Sequence, residues 1–164
     1  MKFLCDEMLQ RVGRWLRAAG YDTAIETQGE IDSRLLQRAL EEGRCLLTRD
    51  RKLLEHRGAG EAVLLLESDG VDACIRELTQ RLAVDWQYRP FSRCLRCNTP
   101  LVAASAEQMQ QIPARVRDRF ETARYCPRCR QLYWEGSHVR RMRERLCEWQ
   151  RARPVVGPSA RREL

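Results

Sequence analysis

Two short motifs, RCLRCNTPL (residues 93–101) and YCPRCRQLYW (residues 125–134), each set two cysteines two residues apart, and 28 residues separate Cys97 from Cys126. A C-x-x-C turn is tight enough to aim both sulfurs at one ion, and two such knuckles complete a tetrahedron, the closed shell of structural zinc. Cys94, Cys97, Cys126 and Cys129 are therefore predicted to hold a Zn²⁺ that supports the fold and performs no chemistry. A segment this small and loop-rich does not fold without its metal. A redox C-x-x-C pair and an iron centre are the competing readings, and the doubling of the motif disfavours the redox pair.

The second set of candidates is acidic. Asp6, Asp32 and Asp50 each fall at, or just past, the carboxyl end of an apolar run that reads as a strand. Carboxylates brought together repel one another, so a site built from three of them implies divalent cations, and hard oxygen ligands suit Mg²⁺ or Mn²⁺. Ions held this way clamp a phosphodiester, lower the pKa of an attacking water and stabilise the leaving oxygen. Each aspartate also has a plainer role: Asp32 as a helix N-cap, Asp6 as a turn former, Asp50 as the cap of the short helix after it. Their coincidence at one rim favours the chemical reading. Asp69 reads as an ordinary SDG turn, and Glu7 is a weaker candidate. Arg14 and Arg49 are placed to contact substrate phosphates or to pair with the aspartates. His56 and His138 have no partner nucleophile, and His138 reads as packing near the last helix.

These residues need a scaffold. Residues 43–53, GRCLLTRDRKL, read as a buried strand that opens into a charged turn carrying Asp50, as in a parallel strand covered on both faces. Before it come a strand over residues 2–5 and a helix over residues 8–19, with Met8, Val12, Trp15, Leu16 and Ala19 on its apolar face and Arg11, Arg14 and Arg17 on the other. A strand over 22–26 follows, then a helix begun by Asp32 and ended by Gly43. A short helix runs to about residue 57, Gly58-Ala59-Gly60 breaks the chain, and residues 62–66 and 72–82 give a last strand and helix. Strand–helix alternation predicts an α/β fold with a doubly wound parallel sheet. In a flavodoxin-like order the first and third strands are neighbours, and Asp6 faces Asp50 across the switch point. The predicted division is residues 1–88 for this unit, 91–153 for the cysteine unit with a C-terminal helix over 137–151, and 154–164 as a disordered tail. Residues 84–88 are a candidate edge strand.

Charge separates the two units. Residues 1–90 carry 14 Lys+Arg against 16 Asp+Glu, a net of −2, whereas residues 91–164 carry 16 against 7, a net of +9, together the +7 of the whole chain. An acidic half joined to a basic half suits a polyanionic partner met through metal ions. A basic face that merely stays solvated is the plainer alternative. Of the 30 basic residues 28 are Arg, which favours bidentate phosphate contacts. No apolar run reaches 18 residues and nothing at the start resembles a signal peptide, so the expected location is cytoplasmic, where cysteines bind metal rather than forming disulfides. Cys5, Cys45, Cys74 and Cys147 read as packing residues.

Taken together and in order, FLCDEML, RWLRAAGYDT, DSRLLQRAL, LLTRDRKL, RCLRCNTPL and CPRCRQLYWEGSHVRRM resemble the Mut-seven C-terminal RNase domain family, a PIN-like nuclease branch with its own zinc ribbon. The resemblance implies a metal-dependent ribonuclease with its acidic site on Asp6, Asp32 and Asp50. Many PIN-like relatives have a further acid two residues past the TRD aspartate, where this chain has Lys52. The expected activity is hydrolysis of RNA phosphodiesters, with the basic zinc unit gripping the backbone and Tyr133, Trp134 and Trp149 either stacking bases or packing the ribbon core. The alternative from a different class is a non-catalytic RNA- or ribosome-binding adaptor.

Overall fold

The computed structural model describes residues 1–117, 119 and 121–153 of the 164-residue chain. Four short strands, β1 (Lys2–Cys5), β2 (Asp22–Ile25), β3 (Cys45–Thr48) and β4 (Val63–Leu65), form a parallel sheet in the order β2-β1-β3-β4. The first and third strands are thus neighbours, as in the flavodoxin-like order. Successive residues of a strand point to opposite faces, and both faces here are covered. Phe3, Cys5 and Leu47 join one core with α1 (Gln10–Ala19), α4 (Val71–Leu82) and α7 (Ser137–Arg151); Leu4 and Leu46 join another with α2 (Asp32–Glu42), a 3₁₀ turn (Arg51–Glu55) and α3 (Ala59–Ala62).

Local chemistry sets the element ends. Asp6 caps a 3₁₀ turn (Glu7–Leu9), so α1 starts at Gln10, later than the apolar periodicity suggests. Met8, expected in the core, is 61% exposed for this reason. α1 ends at Gly20 (φ 100°), where glycine is required twice: it adopts a left-handed conformation, and a Cβ there would lie 2.3 Å from the Arg89 carbonyl oxygen. That close approach docks the connecting segment, because the Arg89 and Phe91 N–H groups donate to the Ala19 and Ala18 carbonyls. The connection is no edge strand: Val84 and Trp86 insert into the core, and the Trp86 Nε1–H donates to Thr79 at 2.8 Å. Two further expectations are corrected. Asp32 is the first residue of α2 and Ile31 its N-cap, and Gly58 starts α3 rather than breaking the chain.

The cysteine unit adds a small antiparallel sheet, β5 (Val102–Ala103), β6 (Arg124–Tyr125) and β7 (Leu132–Tyr133), with two short helices, α5 (Ala106–Met109) and α6 (Ala114–Arg117). Ser105 and Gln108 form a capping box on α5. α7 then returns to the α/β core. Its Leu146 is fully buried there, and Trp149 lies edge-on to Trp15 (4.7 Å) and Trp86 (5.4 Å). Trp149 therefore packs and is not free to stack on a base. Leu146→Ala should cost about 2–5 kcal/mol, seen as a lower urea midpoint with an unchanged slope; a loss under about 0.5 kcal/mol would mean that α7 rests loosely on the core. His138, expected to pack, is exposed on the first turn of α7. The expected tail over 154–164 lies outside the described residues. No helix among the described residues is long and apolar enough to cross a membrane.

Candidate functional site

The sheet ladder continues one residue beyond the strands at their carboxyl ends. The Glu26 N–H donates to the Cys5 carbonyl (2.8 Å), the Asp6 N–H to Leu47 (3.1 Å) and the Leu66 N–H to Thr48 (2.7 Å), which sets Glu26, Asp6, Thr48 and Leu66 side by side along one rim. Chain reversal at the β1–β3 junction opens α/β sheets to ligands at this rim.

Asp6 is 7% exposed and well held. Its Oδ1 accepts from the Leu9 N–H at 3.0 Å, and its Oδ2 accepts from the Thr48 hydroxyl and from the Arg49 N–H at 3.3 Å. A carboxylate offers about four lone-pair sites, so three donors leave one for a cation. The Thr48 hydroxyl in turn accepts from the Asp50 N–H at 2.9 Å, so one buried hydroxyl bridges Asp6 to the turn that carries Asp50. Asp50 also fills its plainer role, since its Oδ1 caps the following 3₁₀ turn through the Lys52 N–H at 2.9 Å. Its second oxygen has no partner among the described residues. The Asp32 carboxylate makes no cap bond, and no hydrogen bond ties it to Asp6 or Asp50. The three aspartates offer hard oxygens, as Mg²⁺ or Mn²⁺ requires, but among the described residues only the four cysteines lie close enough together to share one ion. The Arg49 guanidinium pairs with exposed Asp69 at 2.8 Å and with none of the three candidate aspartates, while Arg14 is exposed and in no ion pair among the described residues.

Glu26 and Thr48 were not singled out from sequence. Glu26 carries no motif, and only its position one residue past an edge strand could have flagged it. It is 6% exposed beside Asp6, lines a cleft of about 530 Å³ with Glu30, Arg34 and Arg38, and pairs with Arg38 at 3.7 Å. Burial opposes ionisation of Glu26, but the N–H groups of Gln28 and Thr27, with Glu30, outweigh it and hold the pKa below the usual glutamate value. A carboxylate with a lowered folded-state pKa stabilises the fold above its unfolded pKa, and that stability is lost as pH falls through the folded value. Glu26→Gln should therefore reduce the drop in stability between neutral pH and pH below the ordinary value of 4.5, checked by urea titration at both. An unchanged acid slope would remove Glu26 from the account.

At the other site the four cysteine sulfurs all lie within 4.8 Å of one another. Cys97 Sγ and Cys126 Sγ are 3.5 Å apart, close to the roughly 3.8 Å edge of a tetrahedron with Zn–S bonds of about 2.3 Å. The two knuckles repeat one backbone pattern. The Cys94 and Cys126 N–H groups donate to Thr99 and Gln131, the Asn98 and Arg130 N–H groups donate back to Cys94 and Cys126, and Asn98 and Arg130 both have positive φ (69° and 56°). The Tyr133 hydroxyl lies 3.1 Å from Cys94 Sγ, and the Cys129 N–H donates to Cys126 Sγ. Burial opposes ionisation of Cys97, but the Thr99 hydroxyl and neighbouring thiols bring its pKa down to about 6. Cys129 is pushed up to about 12, first by its hydrogen bond with Cys97 and then by burial. A metal entering this cluster must displace protons, so binding weakens in acid.

Arg17 joins the two sites, and the helical wheel misplaced it on the solvent face. It is buried, and its Nε–H donates to the Thr23 carbonyl (2.8 Å) while Nη1 donates to the Leu95 (3.0 Å) and Arg96 (2.8 Å) carbonyls of the first knuckle. Asn98 completes the joint, with Oδ1 accepting from the Thr23 N–H and Nδ2 donating to Asp22.

No solved structure matches this chain. A curated relative, the human protein named "Exonuclease mut-7 homolog", is 31% identical over 122 residues, which cover 68% of this chain and 13% of that protein. The chain thus spans about an eighth of that relative's length. The family model described as "Mut7-C RNAse domain" matches residues 1–146, nearly the whole of both units. With its carboxylate rim, its paired knuckles and this match, the chain belongs to the Mut7-C RNAse domain family.

Proposed function

We propose that the chain is a metal-dependent ribonuclease with a PIN-like nuclease unit over residues 1–88 and a zinc ribbon with its C-terminal helix over 91–153. Asp6, Asp32 and Asp50 would hold Mg²⁺ or Mn²⁺ at the sheet rim, and the four cysteines would hold a structural Zn²⁺. The observation that carries the reading is the Asp6–Thr48–Asp50 connection at the β1–β3 switch point, on a chain whose family is an RNase domain. When bound, the divalent cation supplies a water of lowered pKa and neutralises charge on the phosphodiester. The chain's own part is to fix the carboxylates: Thr48 and the Leu9 and Arg49 N–H groups hold Asp6, and the Lys52 N–H holds Asp50. Arg14 and Arg49 would contact substrate phosphates, Arg49 after leaving Asp69. Lys52 stands where a further acid would support a second ion. The chemistry belongs to an RNA-bearing compartment, and we place it in the cytoplasm.

The test is cleavage of end-labelled single-stranded RNA by the zinc-loaded protein with Mn²⁺, with Mg²⁺ and with no added divalent ion. Cleavage that needs the added ion supports the reading. Tight binding with no cleavage under any condition would make the protein an RNA-binding adaptor instead. The human relative is named an exonuclease, and the product ladder distinguishes stepwise shortening from internal cuts.

A further inference from the structure

A second cavity, of about 120 Å³, lies between α1, the end of β2 and the first knuckle, lined by Gln10, Arg14, Arg17, Ile25, Thr27 and Arg96. Three guanidiniums from two units share its wall, and no carboxylate does. Arginines such as Arg38, Arg44, Arg81 and Arg145 each bond a Glu or Asp, whereas this cavity gathers three guanidiniums with no carboxylate among them. Arg14 and Arg96 are exposed and form no ion pair among the described residues. Arg17, the floor of the cavity, is 6% exposed and spends Nε and Nη1 on neutral carbonyls. Its Nη2 donates to no group among the described residues, and no buried side-chain nitrogen there is closed off from both solvent and partners. The guanidinium therefore retains two donors on the accessible side. Burial lowers the Arg17 pKa, Cys5 and then the cysteines of the first knuckle offset part of it, and Arg14 adds a smaller lowering. The cavity is thus preorganised for a small multivalent anion.

Its position says which anion. Gln10 opens α1 just past the Asp6 turn, Ile25 ends β2, and Thr27 follows Glu26, Asp6's neighbour on the rim. The cavity therefore has on its wall the chain neighbours of the acidic rim, at the same end of the sheet. We propose that it is a phosphate subsite that seats the RNA backbone next to the carboxylate rim, with Arg14 and Arg96 closing on one phosphate and Arg17 Nη2 donating from below. The assignment of RNA as occupant rests on the ribonuclease reading; the anion site itself rests on the cavity alone. It also gives the knuckle a second role, because Arg96 reaches the cavity only when the ribbon is docked by Arg17 and Asn98.

The test is fluorescence anisotropy of a short labelled single-stranded RNA, without added Mg²⁺ or Mn²⁺, over a range of salt. Arg14→Glu/Arg96→Glu, checked for wild-type zinc content and melting, should weaken binding about tenfold or more and flatten the salt slope by about 1. Arg57→Glu/Arg76→Glu, a matched reversal outside the cavity, should cost about threefold or less. Equal loss in both variants, or none in the first, overturns the subsite while leaving metal-dependent cleavage, and with it the nuclease reading, intact. If wild type neither binds nor cleaves RNA, the nuclease reading fails separately. Inorganic phosphate titrated against the Arg Nε–H signals then decides the cavity: saturable shifts at Arg17 that vanish in the first double variant keep it as an anion site, and their absence ends it.

Discussion

Asp50→Asn is expected to lower cleavage of single-stranded RNA by about a thousandfold or more, equivalent to about 4 kcal/mol of lost transition-state stabilisation, while leaving melting and zinc content unchanged. The substitution is clean for a structural reason. The Asp50 cap bond uses Oδ1 alone, and an asparagine carbonyl can accept the Lys52 N–H equally well. What is lost is charge at the oxygen that has no partner among the described residues. Asp6→Asn should abolish activity as well, but it carries a folding cost, because both Asp6 oxygens accept hydrogen bonds and an amide NH₂ would face the Thr48 hydroxyl and the Arg49 N–H, or the Leu9 N–H. Asp50→Asn is therefore the decisive variant. Cleavage at the wild-type rate with Mn²⁺ would exclude Asp50 and the rim from the chemistry.

Cys126→Ser should eject the zinc and unfold the unit that carries it. Cys126 is fully buried, touches Cys97 across the cluster at 3.5 Å, and supplies the carbonyl that accepts the Arg130 N–H at the turn of the second knuckle. The apolar clusters of this unit are small, one built on Cys94, Leu101 and Cys126 and the other on Ile112, Ala123 and Leu132. Structural zinc contributes about 10–16 kcal/mol of apparent binding energy, which becomes folding energy, and cores of this size cannot replace it. Metal analysis should show loss of bound zinc, and limited proteolysis should cut within 92–134 before the α/β unit. A zinc-free variant that melts with the wild type would refute the structural role.

The order of strands and helices was legible because apolar runs and helical periodicity report burial directly. The knuckles were legible because C-x-x-C spacing is itself the ligand geometry. What escaped depends on contacts remote in sequence. Arg17 sits on the helical face that periodicity assigns to solvent, yet a knuckle 78 residues away supplies the carbonyls that bury it. Glu26 and Thr48 gain their place from the ladder between neighbouring strands, which no local pattern encodes. Helix starts were misjudged where a 3₁₀ turn or an extended residue took the cap, as at Asp6 and Ile31. Sequence leaves Arg49 between substrate phosphates and the rim aspartates, whereas its carboxylate partner is Asp69, on a turn 20 residues on. α7 follows the cysteine unit in sequence, whereas its Leu146 and Trp149 answer to the α/β core.

The outer flank of β2 is where a parallel sheet would otherwise recruit a foreign strand, and here both free backbone groups of Thr23 are taken, its N–H by Asn98 and its carbonyl by Arg17. Unsheltered strand flanks template intermolecular pairing. A metal ion held by the four cysteines would thereby guard the solubility of a sheet that it never touches: its chelation is expected to free Asn98, bare that flank and favour self-association nucleated at residues 22–25.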